Sequence, residues 1–312
     1  MQVSAHSCYT VNMNMTERLN RTADSFQMMH IAPPILVLAN AWDAASARVF
    51  EGAGARAIGT TSAGIAAVLG YPDGQKVPRE LMLEAIARIA GTVDVPVTAD
   101  VEAGYGPRAE DVAETTRLVI EAGAVGINLE DASGNPAQPL FEVEEQIERI
   151  RAAREAAEQA GVRIVINART DFFLAEIGPP AERLNAAVSR ANAYRRAGAD
   201  CLFVPGVADL ATIGTLVRDI CGPVNVLASR GTPAVRDLEQ IGVARLSVGS
   251  GIMRGALALA RDAAHELFDQ GSYGTFFEKA IPYGEVNELM RRRRSAVPVG
   301  KTSSAPSRSA SK

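Results

Sequence analysis

The chain is short of the residues that most often build a reactive site by themselves. Its 312 residues include three cysteines, Cys8, Cys201 and Cys221, and three histidines, His6, His30 and His265. An odd, scattered set of cysteines excludes a disulfide framework and fits a reducing, cytoplasmic setting. Three dispersed histidines exclude a histidine-rich zinc site and most Ser-His-Asp schemes. No run of eighteen apolar residues occurs, which excludes a helical membrane span. A formal net charge of −4 lacks the basic excess of a general nucleic-acid binder. What is present is ordinary: 47% hydrophobic and 22% charged residues, in a chain long enough to bury a core without a covalent or metal staple.

Residues 1–30 are polar and mixed, without the basic start and apolar stretch of a signal peptide, and read as a flexible N-terminal segment. Residues 295–312 are rich in Ser, Ala, Pro and Lys and read as a disordered tail. The basic run at 291–294 just before it reads as a solvated helix end. Between them, residues 31–294 alternate short apolar runs with helical stretches rich in Ala, Glu, Arg and Leu. The runs fall at 35–38, 56–59, 95–99, 126–129, 163–168, 201–204, 224–228 and 245–248. Near-continuous apolar runs of this length are what parallel strands covered on both faces require. The tripeptide Ala-Gly-Ala recurs at 53–55, 122–124 and 197–199, each time between a helix and the next strand, where glycine suits the left-handed residue that closes a helix. In the helix at 143–159, Glu145 and Arg149 read as part of a solvated charged face.

Eight strand–helix units predict a (β/α)8 barrel of the TIM type. A doubly wound sheet would carry a glycine-rich phosphate loop after its first strand. The chain has Ala39-Asn40-Ala41-Trp42-Asp43 there instead. Helical stretches at 256–268 and 276–293 exceed what a barrel needs and predict extra C-terminal helices that pack on a neighbouring subunit.

In such a barrel the chemistry gathers at the C-terminal ends of the strands. The third run ends Asp100-Val101-Glu102, and alternation along a strand turns both acids to one side. The fourth ends Asn128-Leu129-Glu130-Asp131 and adds another acid next door. Three converging carboxylates repel unless a cation lies between them, and oxygen ligands without His or Cys suit Mg²⁺ or Mn²⁺. The alternative is that these acids serve as helix caps or loop ion pairs. Arg169, leaving the fifth run, offers a planar fork to a carboxylate or phosphonate, or to the nearby acids. The second run ends Thr60-Thr61-Ser62-Ala63-Gly64, whose amides and hydroxyls suit an anionic oxygen. Asp73 lies in a Tyr-Pro-Asp-Gly turn, and the Gly249-Ser250-Gly251 turn falls where barrels often hold phosphate.

The strings AIGTTSAGIAA, YPDG, VPVTADVEAGYG, GINLED and INARTD, in this order over about residues 35–253, together resemble the isocitrate lyase / phosphoenolpyruvate mutase superfamily. The resemblance implies a (β/α)8 barrel with a swapped terminal helix, assembled as a homodimer or homotetramer, that makes or breaks C–C or P–C bonds of small 2-oxo acids with Mg²⁺. It implies that Asp100 ligates the metal directly, that Glu102 (where many members have Asp) and Glu130 hold its waters, and that Asp73 closes over the site. Thr61 takes the place of a substrate-binding serine, the amides of Ser62 and Ala63 that of a carboxylate cradle, and Arg169 that of the arginine on substrate. One segment departs. Lyases of the family carry Lys-Lys-Cys-Gly-His on a gating loop after the Glu130 position, and the mutases and phosphonate hydrolases a longer loop with Lys and Asn. Residues 131–142 here have no Cys, Lys or His and read as a short connection.

The expected activity is therefore a Mg²⁺-dependent lyase cleaving a C–C bond of a small 2-oxo or hydroxy acid, with Asp73, Arg169 and Tyr105 as catalytic residues and Tyr105 or a water as proton donor. The alternatives are a phosphonomutase or phosphonopyruvate hydrolase, and a non-catalytic metal-binding barrel. The expected partners are a small carboxylate or phosphonate and further copies of the chain, with neither nucleic acid nor membrane.

Overall fold

The computed structural model describes residues 14–31 and 33–291. The expected tail at 295–312 and residues 292–294 of the basic run lie outside the described residues, as does Cys8. Eight parallel strands close into a barrel: β1 (Leu36–Ala41), β2 (Ile58–Thr60), β3 (Val97–Asp100), β4 (Gly126–Glu130), β7 (Val165–Arg169), β8 (Cys201–Phe203), β9 (Val224–Leu227) and β10 (Arg245–Ser247). The order around the barrel follows the chain, and β10 pairs with β1 to close it, Leu36 standing opposite Arg245. All eight apolar runs became strands, with ends displaced by one to three residues where they differ. After β4, β5 (Ala132–Asn135) and β6 (Gln138–Leu140) form an antiparallel hairpin outside the barrel, where only a short connection was expected.

The helices cover the barrel in chain order: α2 (Ala44–Gly52), α3 (Ser62–Leu69), α4 (Arg79–Thr92), α5 (Ala109–Glu121), α6 (Val143–Gln159), α7 (Pro180–Ala197), α8 (Leu210–Asp219) and α9 (Val235–Gln240). Ile86, Ile89, Val112, Val119, Ile150 and Ile213 are fully buried beneath them. The inner side of the strands is different. Asn167 donates to Asn128, Asn128 to Asp100, Asn40 to the Thr60 carbonyl, and Ser247 to Asn225, so a layer of asparagines crosses the barrel interior.

The N-terminal expectation needs correction. Residues 15–28 form α1 (Met15–Met28), closed by a capping box between Asn14 and Glu17. Leu19, Ala23 and Phe26, at i, i+4 and i+7, give it a buried stripe. Phe26 lies against β4 at Gly126, where an added Cβ would come within 2.9 Å of its ring. The helix thus closes the N-terminal end of the barrel.

Beyond β10 the chain forms α10 (Gly251–His265), a π turn (Glu266–Gln270), α11 (Gly274–Phe277) and α12 (Tyr283–Arg291). In α10 only Met253 is buried, while Ile252, Leu257 and Leu259 are exposed, and so is Val37 on β1. The last helix of the barrel therefore leaves Val37 of β1 exposed.

Candidate active site

The C-terminal strand ends surround a cavity of about 180 Å³. Thr61, Ser62, Ala63, Asp73, Asp100 and Arg169 line it, together with Asn40, Thr98, Asn128, Arg245 and Ser247 deeper in the barrel. Glu102, Glu130 and Tyr105 do not line it.

Asp100 is the last residue of β3 and is held from three sides. One oxygen accepts from the Ser62 amide (3.0 Å) and hydroxyl (2.9 Å), the other from Asn128 Nδ2 (2.9 Å). Its own amide donates to Thr60 Oγ1 at 2.8 Å. The Ser62 amide is thus engaged with Asp100 rather than open as half of a cradle, whereas the Ala63 amide, in the first turn of α3, has no partner among the described residues. Thr61 Oγ1 accepts from the Gly64 amide at 3.3 Å and caps α3.

Alternation does not carry past Asp100, because the strand ends there and Glu102 adopts φ 51°. Gln75 and Tyr105 also have left-handed backbones, at φ 55° and 61°. Each such residue costs on the order of 1–2 kcal/mol. The three are tied together: the Gln75 amide donates to Glu102, the Tyr105 amide to Gln75 Oε1 (2.8 Å), and the Tyr105 hydroxyl to Glu102 Oε1 (3.4 Å). This network joins the turn that carries Asp73 to the turn that carries Glu102. The Tyr105 hydroxyl faces Glu102, not the cavity, so the expectation that it delivers a proton to substrate does not match its position. Arg149 supports the same turn and is buried, not on a solvated face. Its guanidinium donates to the carbonyls of Ala103, Gly106 (2.9 Å) and Pro107 (2.6 Å) and lies 4.1 Å from the Phe141 ring centre.

Glu130 ends β4 and pairs with Arg169 Nη1 at 2.8 Å, while Asp171 takes Arg169 Nε (2.5 Å) and Nη2 (2.8 Å). Behind them Asp131, wholly buried, accepts from the Asp171 amide (2.9 Å), the Tyr194 hydroxyl (2.8 Å) and Arg190 Nη1 (3.1 Å). Arg169 thus lines the cavity and is ion-paired to two neighbouring acids.

Burial dominates the electrostatics. It lifts Glu102 to about 7, with Asp100 and Asp73 adding repulsion and the Gln75 amide opposing. Burial also raises Asp73, with Asp100 adding to it and the Gly74 amide opposing. Glu130 is raised by burial and pulled back by Arg169. Tyr105 stays protonated, pushed above the ordinary phenol range by burial and then by Glu102. Among the described residues no group of three or more His, Cys, Asp or Glu side chains is placed to hold a metal ion. Mg²⁺ does not ask for one. It takes one or two carboxylates and keeps its waters, and a repelling, oxygen-only set of carboxylates fits it. Sequence reasoning missed Gln75, Tyr194 and Arg190 and misread Arg149 as surface charge. Asp171 stood within its reach, two residues from Arg169 in the same strand end.

The family model described as phosphoenolpyruvate phosphomutase matches residues 26–268. The chain belongs to that family. Among relatives of this phosphomutase-family chain, an uncharacterised protein of Mycobacterium tuberculosis (strain H37Rv) is 33% identical over 263 residues, 84% of this chain and 94% of the relative. The 2-methylisocitrate lyase of Escherichia coli K12 is 34% identical over 190 residues, 58% of this chain and 62% of the lyase. An oxaloacetate decarboxylase of Pseudomonas fluorescens Pf0-1 is 30% identical over 265 residues, 81% and 88% of the two chains. Among solved structures, a Burkholderia cenocepacia J2315 protein provisionally called a lyase/mutase superposes with TM-score 0.82 at 36% identity, over 88% of this chain and 97% of that one. A 2,3-dimethylmalate lyase of the PEP mutase/isocitrate lyase superfamily gives 0.76 at 27%, over 86% and 94%.

Proposed function

We propose that this member of the phosphoenolpyruvate phosphomutase family is a Mg²⁺-dependent carbon–carbon lyase acting on a small 2-oxo or hydroxy carboxylic acid. The observation that carries the reading is the set of carboxylates at one barrel mouth, Asp73, Asp100, Glu102 and Glu130, with the Arg169 guanidinium beside them. Asp100 would hold the metal, with Glu102 and Glu130 on its waters; Mn²⁺ suits the same donors. The bound ion supplies Lewis-acid polarisation of a 2-oxo-carboxylate. The unpartnered Ala63 amide, in the first turn of α3, receives the substrate carboxylate. Arg169 faces the negative charge that develops as the bond breaks, and Glu130 and Asp171 keep its fork fixed. Asp73 lines the cavity with its carboxyl raised, which suits it to carry a proton between substrate and solvent. Thr61 shapes the wall through its cap on α3, and Tyr105 holds Glu102.

The cleavage of a P–C bond is the rival chemistry. The turn after β10 favours it less than its sequence promised, because the amides of Val248 and Gly249 both donate to Asn40 Oδ1 (3.0 and 2.9 Å). The remaining rival is a barrel that binds metal without turnover. No helix among the described residues is long and apolar enough to cross a membrane. We place the protein in the cytoplasm as a homodimer or homotetramer, its exposed α10 face covered by another copy.

The test is a turnover screen of 2-oxo acids, hydroxy tricarboxylates and phosphonopyruvate, with and without Mg²⁺. C–C cleavage of a carboxylic acid that stops on chelation is expected. Phosphate release from phosphonopyruvate would replace the reading by the P–C alternative, and tight oxalate binding without turnover of any acid would replace it by the non-catalytic one. Asp100→Ala is expected to abolish both activity and Mg²⁺ binding; unchanged metal affinity in that variant would remove the reading.

A further inference from the structure

The turn from Tyr71 to Val77 brings Asp73 to the cavity, and little holds its middle in place. Its two ends are packed: Tyr71 lies against the core and Val77 is buried. Of the five residues between them, only Gln75 hydrogen-bonds to another element among the described residues. Both of its bonds end on the turn after β3. Its amide donates to the Glu102 carboxylate, and its side-chain Oε1 accepts from the Tyr105 amide at 2.8 Å. The Asp73 carboxylate takes its hydrogen bond from the Gly74 amide, inside the turn, and adds no tie.

The backbone gives a reason for a glutamine here. Gln75 has φ 55°, in the left-handed region that glycine enters freely and a residue with a Cβ rarely does. Gly74, one step earlier, has φ 91°. A second glycine would make the turn with less strain, but it would offer no side-chain oxygen. Tyr105 is also left-handed, and its amide is satisfied by Gln75 Oε1, not by a main-chain carbonyl. The strained residue is thus the one whose side chain joins the two turns.

We infer that Gln75 is a positioning residue: it fastens the Asp73 turn to the turn that carries Glu102 and Tyr105, and so fixes where the Asp73 carboxyl stands at the cavity. The tether is a property of the fold alone. Its consequence for turnover rests on the lyase reading, in which Asp73 carries a proton. Without the tether Asp73 keeps its chemistry, but its carboxyl spreads over more positions and fewer of them are productive.

The test digests the full chain with a lysine-specific protease, without divalent ions. Lys76, exposed in this turn, and Lys279, exposed after α11, are the lysines among the described residues, so the second serves as an internal reference. Each rate at Lys76 is divided by that of a synthetic peptide of residues 70–81 with the same substitution, which removes any preference of the protease. Gln75→Asn tolerates the left-handed backbone and keeps the amide bond to Glu102, but its oxygen is one methylene short of Tyr105. It is expected to speed cleavage at Lys76 about 2- to 10-fold, the size of one hydrogen bond, and to leave Lys279 unchanged. Gln75→Gly, which also relieves the backbone, should act in the same direction. Unchanged cleavage at Lys76 in both variants, or equal acceleration at Lys279, would overturn the tether whatever the protein catalyses. With Mg²⁺ and the acid turned over fastest in the screen above, Gln75→Asn should lower kcat by a comparable factor while KM stays within about twofold. Faster cleavage at Lys76 with kcat unchanged would overturn the positioning role and leave the lyase reading standing. If no acid is turned over, the lyase reading falls, and the digestion still decides the tether.

Discussion

At the scale of single residues, the site is a set of acids that burial pushes toward the neutral form. Glu102 is the clearest case. Its carboxyl is raised from 4.5 to about 7 by burial, then by Asp100 and Asp73. A folded-state value above the unfolded one means that the folded chain binds more protons between the two. Stability of the metal-free protein should therefore fall as pH rises from about 4.5 through 7, and Glu102→Gln should flatten that part of the curve. Thermal midpoints measured without divalent ions check this, and an unchanged slope in the variant would refute it. Under the proposed metal role of Glu102, Mg²⁺ would favour the ionised form, and its affinity should climb over the same interval. Asp100, Glu130 and Arg169 were legible because each ends an apolar run. The posture of Glu102 was not, because a left-handed residue one step beyond the strand breaks the period of two and only the fold reveals it.

At the scale of elements, helix α7 reaches the site without touching the cavity. Tyr194 and Arg190 hold Asp131, Asp131 holds the Asp171 amide, and Asp171 grips Arg169. Tyr194→Phe removes one hydrogen bond to a buried carboxylate and should cost about 1.5–3 kcal/mol of stability. If the proposed role of Arg169 holds, it should also reduce kcat more than KM, because the loosened fork would be the one that meets developing charge; urea melts and steady-state kinetics separate the two effects. Helix α1 makes a second case. Phe26→Ala should cost about 3–5 kcal/mol, as for other buried aromatics, although residues 1–30 read as flexible from their polarity. The stripe Leu19, Ala23, Phe26 was present in the sequence, but it is narrow and sits among polar residues, so mean polarity hid it. The Arg149 misreading has the same origin. An arginine at helical spacing from a glutamate reads as surface charge, and the three backbone carbonyls it satisfies come from a loop more than forty residues away.

At the scale of the whole molecule, the eight-strand count, the closure of β10 on β1 and the surplus C-terminal helices were all readable, because parallel strands and their covering helices alternate in plain hydrophobic blocks. The polar layer inside the barrel was not, since one asparagine in or just beyond a short apolar run does not change how the run reads. The exposed Leu257 and Leu259 of α10, and the exposed Val37 on β1, lead to an assembly prediction. Replacing both leucines by Asp should convert an oligomer to monomers in sedimentation, with far-ultraviolet circular dichroism retained; a native chain that sediments as a monomer would contradict it. The asparagines have one more consequence. Asn40, Asn128, Asn167 and Asn225 neither gain nor lose a proton in water, so the framework that orients Asp100 is indifferent to acidity. Whatever working range of acidity the protein has is written at its rim, and it should be movable there by exchanging single carboxyl groups without disturbing the cylinder below.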